Sequence, residues 1–306
     1  MYDLIIIGCG PAGMTAAVYA ARKQMRMLML TEEFGGQPMW TREIENYMGY
    51  QYITGPELMS KFEEQTRKYP VEIKYEKVTD LRKQTDGSFN TLTESGEYAS
   101  QTVIIASGKR PRRLNIPGEE EFTGRGVSYC ATCDGPLFAG KPVAVVGGGI
   151  SAVQAAIELG NVAEKVYLAV RNEYIADPII IERMRQTSNI IELQGYESVA
   201  VTGKDTVEKY VVRNNQTREE KSISLQGIFV EIGLVPNSEY LGSIVDKNQY
   251  GEVLVNCRAE TKTEGLFAAG DVTDGPDKQI VIAAGDGSKA ALGAYDYLLY
   301  RRTVSK

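Results

Sequence analysis

Both halves of the chain begin with the same order of apolar and polar stretches. Asp3 to Ile7 and Arg26 to Leu30 are apolar runs of strand length, and the alanine-rich stretch from Ala12 to Lys23 between them is typical of a helix. Residues 142–170 repeat this order, with apolar runs at 142–146 and 165–170 and a helical stretch at 153–160. The pattern predicts one strand–helix–strand unit that the chain uses twice.

After each unit, apolar and polar residues alternate over short stretches that end in turn residues. The first such region runs from Val71 to Thr102, with turns at 86–87 and 95–96, and the second has turns at 202–203 and near 213–215. Helices are predicted over 55–69 and about 281–300, and further strands over 101–109 and 266–271. We therefore expect an α/β fold with two Rossmann-like three-layer dinucleotide-binding domains, each with a small β-meander.

A glycine fingerprint follows the first strand of each unit. The two fingerprints read Gly8-x-Gly10-x-x-Gly13 and Gly147-x-Gly149-x-x-Ala152. Glycines at this spacing let the backbone approach a pyrophosphate, and the helix that follows offers free N–H groups and a partial positive charge. Because a strand precedes and a helix follows each loop, both loops predict dinucleotide-binding folds.

The stretch Cys130-Ala-Thr-Cys133-Asp134-Gly135 lies between the two fingerprints. A zinc site would need two further ligands, but the chain has no histidine, and its two other cysteines, Cys9 and Cys257, stand alone. A structural disulfide is the remaining alternative, although a CxxC pair in a reducing compartment is more often catalytic. We therefore predict a redox dithiol and no metal, with Asp134 as the candidate group that handles the proton.

Composition and charge exclude several classes of partner. The net charge of −6 and the isoelectric point near 5.1 argue against nucleic acid. The apolar runs are much shorter than the roughly 20 residues that a membrane helix needs. The first residues enter a strand at once and lack a basic leader. We expect a soluble, cytoplasmic protein.

These motifs together resemble the low-molecular-weight, bacterial-type thioredoxin reductases over essentially the whole chain. Besides the first fingerprint, the resemblance is carried by residues 35–37, 45–47, 124–135, 265–271 and 279–287. It implies the pyridine nucleotide-disulfide oxidoreductase fold, with a discontinuous FAD-binding domain at 1–113 and 243–306. A domain at 114–242 would resemble an NAD(P)H domain and carry the CxxC site. The resemblance also implies thioredoxin as a partner and a homodimer.

The resemblance further implies roles for individual residues. Cys130 would attack thioredoxin, Cys133 would face the flavin, and Asp134 would be the acid. The residues implied for FAD binding are Gly8, Gly10, Pro11, Ala12, Gly13, Glu32, Gly36, Gln37, Asn46, Ala106, Gly108, Gly270, Asp271, Gln279 and Ile280.

The second fingerprint departs from the family in the residues that would recognise NADPH. Its glycine loop is intact, so Gly147, Gly149, Ala152 and Arg171 form a candidate nucleotide-like site. The family has His-Arg-Arg-x-x-x-Arg after the next strand, where this chain has Val170, Arg171, Asn172 and Ala176. Two lost hydrogen bonds to a charged phosphate cost about 3–6 kcal/mol, or roughly 10² to 10⁴ in affinity. The departure argues against NADPH as the electron donor.

The leading hypothesis is an FAD-dependent thioredoxin reductase that is fed by ferredoxin or another protein donor. A plant-type ferredoxin at about −400 mV and thioredoxin at about −270 mV make the transfer about 6 kcal/mol downhill. Three alternatives stay open. They are an NAD(P)H-dependent reductase with an atypical nucleotide site, a flavin dithiol oxidase that uses oxygen, and a flavoprotein with a binding or sensing role.

Overall fold

A computed structural model describes residues 1–41 and 44–304, and the chain divides into two units. The first unit comprises Met1–Met39, Glu45–Arg110 and Val235–Lys306, and the second comprises Trp40–Ile44 and Pro111–Leu234. The chain therefore passes from the first unit into the long stretch of the second unit after Arg110, and it returns to the first unit after Leu234. The boundaries expected from the sequence lie after residues 113 and 242.

The elements are numbered along the chain. The strands are β1 (Tyr2–Cys9), β2 (Met27–Phe34), β3 (Glu72–Tyr75), β4 (Val78–Lys83), β5 (Phe89–Thr93), β6 (Glu97–Ile105), β7 (Lys109–Pro111), β8 (Val127–Ser128), β9 (Pro142–Val146), β10 (Lys165–Val170), β11 (Ile190–Gln194), β12 (Tyr196–Gly203), β13 (Val207–Asn214), β14 (Glu220–Ser224), β15 (Gly227–Val230), β16 (Leu234–Pro236) and β17 (Leu266–Ala268). The helices are α1 (Pro11–Arg22), α2 (Gly55–Arg67), α3 (Ala131–Asp134), α4 (Ile150–Gly160), α5 (Pro178–Arg185) and α6 (Ile280–Val304).

The first unit is built on one sheet in the order β3-β2-β1-β6-β5-β4, with β17 also paired to β6. The strands β3, β2, β1, β6 and β17 run parallel, whereas β4, β5 and β6 are antiparallel. The sequence suggested a meander to Thr102 and then a separate strand from Gln101. Instead, β6 is one long strand whose beginning pairs with β5 and whose end pairs with β17, while β1 runs along its other edge.

The central strands of this sheet are apolar on both faces because both faces are covered. Ile5 and Ile7 on one face belong to a cluster that includes Phe89 of the meander, while Leu4 and Ile6 on the other face are fully buried. Burial on both faces explains the unbroken apolar run in β1. Helices α1 and α6 make extensive contact with each other, and a side chain at Gly287 of α6 would lie 2.1 Å from the Ala12 carbonyl oxygen.

The second unit has the three layers predicted from the sequence. Its sheet is parallel, in the order β11-β10-β9-β15-β8, and a separate antiparallel sheet is formed by β12, β13 and β14. One face of the parallel sheet packs against the meander through residues such as Tyr210, and the other packs against α4 through residues such as Val153. The predicted α/β fold class is confirmed.

Two helices in this unit are not predicted by the sequence pattern. Helix α5 begins after Asp177, whose side chain accepts a hydrogen bond from the Ile179 N–H at 2.9 Å. The sequence was searched here for residues that would bind a phosphate, and the N-cap at Asp177 was not recognised as the start of a helix. Helix α3 is a single turn that carries the CxxC pair. Within the described ranges, no helix combines the length and apolarity that a membrane span requires.

Candidate functional site

In the first glycine loop, a side chain at Gly8 or Gly13 would clash with the backbone, whereas a side chain at Gly10 would not. Gly8 has a φ of +113°, and a side chain there would lie 2.2 Å from the Ala106 carbonyl oxygen. A side chain at Gly13 would lie 2.0 Å from the Gly8 carbonyl oxygen. Gly10 has an ordinary φ of −89°, and its added methyl group would come no closer than 3.8 Å to the Gly35 carbonyl oxygen. The space at Gly10 is therefore open for a ligand.

Helix α1 begins at this open space. Gly10 is its N-cap and has no side chain to cap the helix, and Pro11 occupies its first turn. Unsatisfied N–H groups and the helix dipole favour an anion at such a position. Ala12 is buried, and a side chain at Gly270 (φ +74°) would lie 3.0 Å from the Ala12 methyl group.

Polar residues from distant parts of the first unit converge beside this loop. A side chain at Gly36 (φ +66°) would lie 3.6 Å from the Gly10 Cα atom. The Gln37 amide donates a hydrogen bond to the Asp271 carboxylate at 3.2 Å. Burial raises the pKa of Asp271, although the nearby Lys278 opposes this effect. The chain thus brings residues 10, 36, 37 and 271 together although they are far apart in sequence.

A second polar pair joins Asn46 to the start of α6. The Asn46 amide donates to the Gln279 side-chain oxygen at 3.1 Å, and Ile280 is the first residue of the helix. Gly108 adopts a φ of +65°, and its carbonyl oxygen accepts a hydrogen bond from the Asn237 N–H at 2.9 Å.

The acidic residue Glu32 lies near the end of β2, about 20 residues after the fingerprint, where dinucleotide folds place the carboxylate that binds a ribose hydroxyl. In the structure, Glu32 forms an ion pair with Lys77 at 2.8 Å, and both side chains are more than half exposed. The carboxylate is therefore accessible to a ligand.

A largely buried cluster of ion pairs lies near Asp271, and the sequence pattern did not predict it. Lys109 and Lys278 both pair with Glu252, and the Lys278 ammonium is 3.6 Å from that carboxylate. Burial and the Lys109 charge lower the pKa of Lys278. The positive charges of both ammonium groups lower the pKa of Asp271, against the larger effect of burial. The sequence pattern gave no signal for this cluster because its members are separated by up to 169 residues.

The CxxC pair forms a disulfide at the start of α3. Cys130 and Cys133 are bonded, with their Cα atoms 5.3 Å apart, and both are partly exposed. The Cys133 N–H points at the Cys130 sulfur at 3.2 Å. The buried Ser128 hydroxyl donates to the Asp134 carboxylate at 2.6 Å, and its oxygen accepts from the Cys130 N–H at 3.1 Å. Ser128 therefore connects the predicted acid to the predicted nucleophile.

Two further carboxylates contact the residues between the cysteines. Glu231 accepts a hydrogen bond from the Ala131 N–H at 3.3 Å, and Glu158 accepts one from the Thr132 hydroxyl at 3.3 Å. Burial and the Glu158 charge raise the pKa of Glu231 to about 7, against the Ala131 N–H, which lowers it. Glu231 directly follows the apolar strand β15. A carboxylate at the carboxyl end of a parallel strand is a signal that sequence analysis could have used.

A buried glutamate also orders the segment before the disulfide. Glu119 is 2% exposed and accepts hydrogen bonds from the N–H groups of Leu114 and Asn115 at 2.8 and 2.7 Å and from the Tyr129 hydroxyl at 2.9 Å. Burial and the Glu119 carboxylate raise the pKa of Tyr129 to about 12. The sequence pattern did not indicate this role for Glu119, although its partners lie within 10 residues of it along the chain.

A cleft of about 420 Å³ opens beside Asp134 and Ser128 in the second unit. Its other walls include Arg125, Leu137 and Phe138. Asp134 and Ser128 therefore border a space large enough for a small ligand, whereas Cys130 and Cys133 do not line it.

The second glycine loop repeats the geometry of the first. A side chain at Gly147 (φ +146°) would lie 2.3 Å from the Glu231 carbonyl oxygen, just as Gly8 meets Ala106. Gly149 is the N-cap of α4, and none of the described atoms lies within 4 Å of the methyl group that alanine would add there. Ala152 is fully buried. The loop keeps the open position that a pyrophosphate needs.

The residues after β10 do not form a phosphate cluster on this loop. Arg171 is 74% exposed, and its guanidinium lies 3.9 Å from the Glu197 carboxylate, which also pairs with Arg213 and Arg218. The Ile175 N–H donates to the Gly148 carbonyl oxygen at 2.7 Å, which holds this segment against the loop. The structure thus brings Arg171 to an acidic side chain.

Comparison with known proteins agrees with this geometry. Residues 2–287 match the family model described as pyridine nucleotide-disulphide oxidoreductase. The solved thioredoxin reductase from Streptococcus pyogenes MGAS5005 superimposes with a TM-score of 0.94 at 38% identity, covering 98% of this chain and 99% of that one.

Two curated relatives are longer than this chain. The "NADH dehydrogenase" of Bacillus subtilis (strain 168) is 41% identical over 301 residues, which is 97% of this chain and 59% of that protein. An alkyl hydroperoxide reductase component of Pseudomonas putida is 41% identical over 303 residues, 97% of this chain and 58% of that protein. The chain thus spans about three fifths of the length of these relatives.

The glycine loops, the disulfide and these matches lead to one conclusion. The chain belongs to the pyridine nucleotide-disulphide oxidoreductase family, and its fold matches that of a solved thioredoxin reductase.

Proposed function

We propose that this protein passes electrons from reduced FAD through Cys130 and Cys133 to the disulfide of thioredoxin. The observation that carries the proposal is the disulfide held by Ser128 next to the Asp134 carboxylate. When bound, FAD supplies the store of two electrons. The protein's own groups then perform thiol–disulfide exchange.

The exchange balances as follows. The Cys130 thiolate attacks one sulfur of the partner disulfide, and the other partner sulfur leaves as a thiolate that takes up a proton. Cys133 then loses its proton and attacks Cys130 as a thiolate, which restores the Cys130–Cys133 disulfide and releases the second partner sulfur as a thiolate that takes up a proton. Asp134 is the group that holds or supplies the proton at this site, oriented by the Ser128 hydroxyl at 2.6 Å.

The residues around the first loop fit FAD. The open position at Gly10 and the start of α1 suit the pyrophosphate, with Gly8, Gly13, Pro11, Ala12 and Gly270 shaping the cradle. The exposed carboxylate of Glu32 suits the adenosine ribose. We assign the other implied residues to the same cofactor, namely Gly36, Gln37, Asn46, Ala106, Gly108, Asp271, Gln279 and Ile280.

We propose ferredoxin or another protein as the electron donor in place of NADPH. The segment after β10 offers Arg171, and its guanidinium faces the Glu197 carboxylate. Arg171 is the one arginine of the family motif that the chain keeps, and two lost hydrogen bonds to a 2′-phosphate would cost about 3–6 kcal/mol. The low potential of a ferredoxin would make the reaction favourable, by about 6 kcal/mol for two electrons.

A nicotinamide dinucleotide is the second candidate donor. The space at Gly149 supports it, as does the printed name of the Bacillus subtilis relative, "NADH dehydrogenase". NADH lacks the 2′-phosphate and therefore does not need the arginines that the family has after the second strand of this fold. This candidate concerns only the donor and leaves the route through Cys130 and Cys133 unchanged.

Anaerobic stopped-flow spectroscopy on the FAD-loaded protein separates these donors. Reduced ferredoxin is expected to bleach the flavin absorption, and oxidised thioredoxin is expected to restore it. Bleaching by micromolar NADPH within seconds would contradict the proposed donor, and bleaching by NADH alone would establish the second candidate. Rapid reoxidation by oxygen with a small dithiol as the electron source would identify a dithiol oxidase instead.

We further propose that the protein is a cytoplasmic homodimer, as the resemblance implies. Light scattering coupled to size-exclusion chromatography would measure the mass. A mass near the 33.7 kDa of one chain would contradict the dimer.

A further inference from the structure

Glu231 lies where the second glycine loop meets the CxxC helix. Its N–H donates to the Val146 carbonyl oxygen at 2.8 Å, and its own carbonyl oxygen fills the space that a side chain at Gly147 would need. Its side chain reaches the first residue of α3, where Oε1 accepts from the Ala131 N–H at 3.3 Å. One residue therefore contacts both features of the second unit.

The fold does not require a carboxylate at this position. Ala106 occupies the equivalent place in the first unit, since its N–H donates to the Ile7 carbonyl oxygen at 2.7 Å and its carbonyl oxygen faces Gly8. Alanine therefore supports the same strand-to-loop geometry. The carboxyl group of Glu231 needs another explanation.

The surroundings of this carboxyl group favour its neutral form. It is mostly out of solvent, and the Glu158 carboxylate of α4 adds a like charge. Asp134 lies on the same short helix that Glu231 contacts, and Glu173 follows β10 beside Gly148. The Arg112 side chain also lies in this part of the second unit, with its Nε atom 3.8 Å from the side-chain position of Gly233, two residues after Glu231. Burial and the Glu158 charge, opposed by the hydrogen bond from the Ala131 N–H, bring the pKa of Glu231 to about 7.

We propose that Glu231 is a positioning residue that takes up a proton when the Cys130–Cys133 disulfide is reduced and so allows one cysteine to remain a thiolate. This inference rests on the function proposed above. In the reduction, the S–S bond breaks and two electrons arrive from the cofactor. One proton from solvent goes to the thiol of one cysteine, and a second goes to the Glu231 carboxylate. The other cysteine stays a thiolate.

The physical reason is charge balance. A new thiolate on α3 is a negative charge close to a carboxylate that already binds its proton near neutral pH, so it increases the proton affinity of that carboxylate further. A neutral Glu231 in turn lowers the electrostatic cost of the thiolate. The nucleophile is thereby kept in its reactive form. Exchange with the partner disulfide removes the thiolate, and Glu231 releases its proton.

The test measures the reduction potential of the disulfide as a function of pH. The FAD-loaded protein is equilibrated in dithiothreitol redox buffers from pH 6 to 9, then alkylated, and the peptide bearing Cys130 and Cys133 is read by mass spectrometry. For a two-electron couple, a tenfold change in proton concentration shifts the potential by about 30 mV per proton taken up. The wild-type slope above pH 7 is expected to exceed that of Glu231→Gln by up to this amount per pH unit.

Two variants complete the design. Glu164→Gln changes an exposed carboxylate on the loop before β10, at the opposite edge of the sheet from the glycine loop, and is expected to keep the wild-type slope. Glu158→Gln removes the like charge, which lowers the proton affinity of Glu231. The bend in its plot of potential against pH is therefore expected at lower pH than in the wild type.

Equal slopes in the wild type and Glu231→Gln would overturn the inference. If that variant fails to bind FAD, Glu231→Ala, which copies Ala106, replaces it with the same expectation. A bend that stays at the wild-type pH in Glu158→Gln would also overturn it. Failure of the proposed function looks different, because the disulfide would then titrate with the expected slopes while the reduced protein left thioredoxin oxidised.

Discussion

A methyl group added at Gly10 or at Gly149 would test the two glycine loops separately while the fold is preserved. The backbone at both positions is extended, with φ values of −89° and −86°, which any residue adopts. The added methyl group would lie 3.8 Å from the Gly35 carbonyl oxygen in the first loop and more than 4 Å from every described atom in the second. Alanine therefore fits the protein at both positions, and any loss has to come from a ligand.

The expected loss follows from the volume of the methyl group. It would occupy the space above the helix N-terminus where a pyrophosphate lies. Overpacking of this kind costs about 1–3 kcal/mol, which corresponds to roughly 5- to 140-fold in affinity. We expect Gly10→Ala to weaken FAD binding by that factor, measured by titrating the apoprotein with FAD and following the quenching of flavin fluorescence.

Gly13→Ala is the matched control for the first loop. Its methyl group would lie 2.0 Å from the Gly8 carbonyl oxygen. This backbone clash is expected to lower the melting temperature of the protein as well as the affinity for FAD. Tight, wild-type FAD binding by a folded Gly10→Ala protein would refute the assignment of the open space to the pyrophosphate.

Gly149→Ala applies the same test to the electron donor. With reduced ferredoxin, turnover of thioredoxin is expected to stay at the wild-type rate, since the second loop then has no ligand. With NADH or NADPH as the true donor, kcat/KM for that nucleotide would fall by roughly 5- to 140-fold. Loss of ferredoxin-driven turnover in a folded Gly149→Ala protein would refute the view that this loop is dispensable.

Four further substitutions address the second unit. Asp134→Asn keeps a partner for Ser128 but removes the proton, and thioredoxin turnover is expected to fall by about 10²- to 10⁴-fold, the usual contribution of a general acid; a loss below tenfold would contradict its role. Glu119→Gln replaces a carboxylate oxygen by an NH₂ group that faces a backbone N–H, and it should lower the free energy of unfolding by about 1–3 kcal/mol in thermal melts. Tyr129→Phe removes one hydrogen bond to Glu119 and should lower the free energy of unfolding by less. The raised pKa of Glu231 means that the folded state binds more protons than the unfolded state between about pH 4.5 and 7. Wild-type stability should therefore fall across that window, and Glu231→Gln should gain on the order of 3 kcal/mol relative to it by pH 7; parallel pH profiles would contradict the shift.

Local patterns predicted the elements whose structure depends on near neighbours. Strands β1 and β9 are buried on both faces, so each appears in the sequence as an unbroken apolar run followed by a glycine loop. Gly8 and Gly147 have positive φ values, which is why glycine stands there and why the loops could be recognised. The CxxC pair needs only a single helical turn to bring its two sulfurs together, so the disulfide followed from spacing and from the absence of histidine.

Pairings across the sheets were harder to predict. The double use of β6 depends on which strands lie at its two edges, and residues 97–105 alone do not specify them. Helix α5 was not predicted because its eight residues show little helical periodicity. Its N-cap, Asp177, was interpreted as part of the segment that would bind a phosphate. Elements this short are stabilised mainly by packing against the rest of the unit.

The sequence by itself determined the two glycine loops and the CxxC pair with the neighbouring Asp134, because each is encoded within a few consecutive residues. Only the tertiary structure decided which groups surround them. Glu231 meets Ala131 across 100 residues, and Gln37 meets Asp271 across 234. Arg171 is turned toward Glu197, which no local pattern indicated. Burial and charge act through space, so the proton affinity of these groups and the open or occupied state of each loop become defined only once the sheets and helices have assembled.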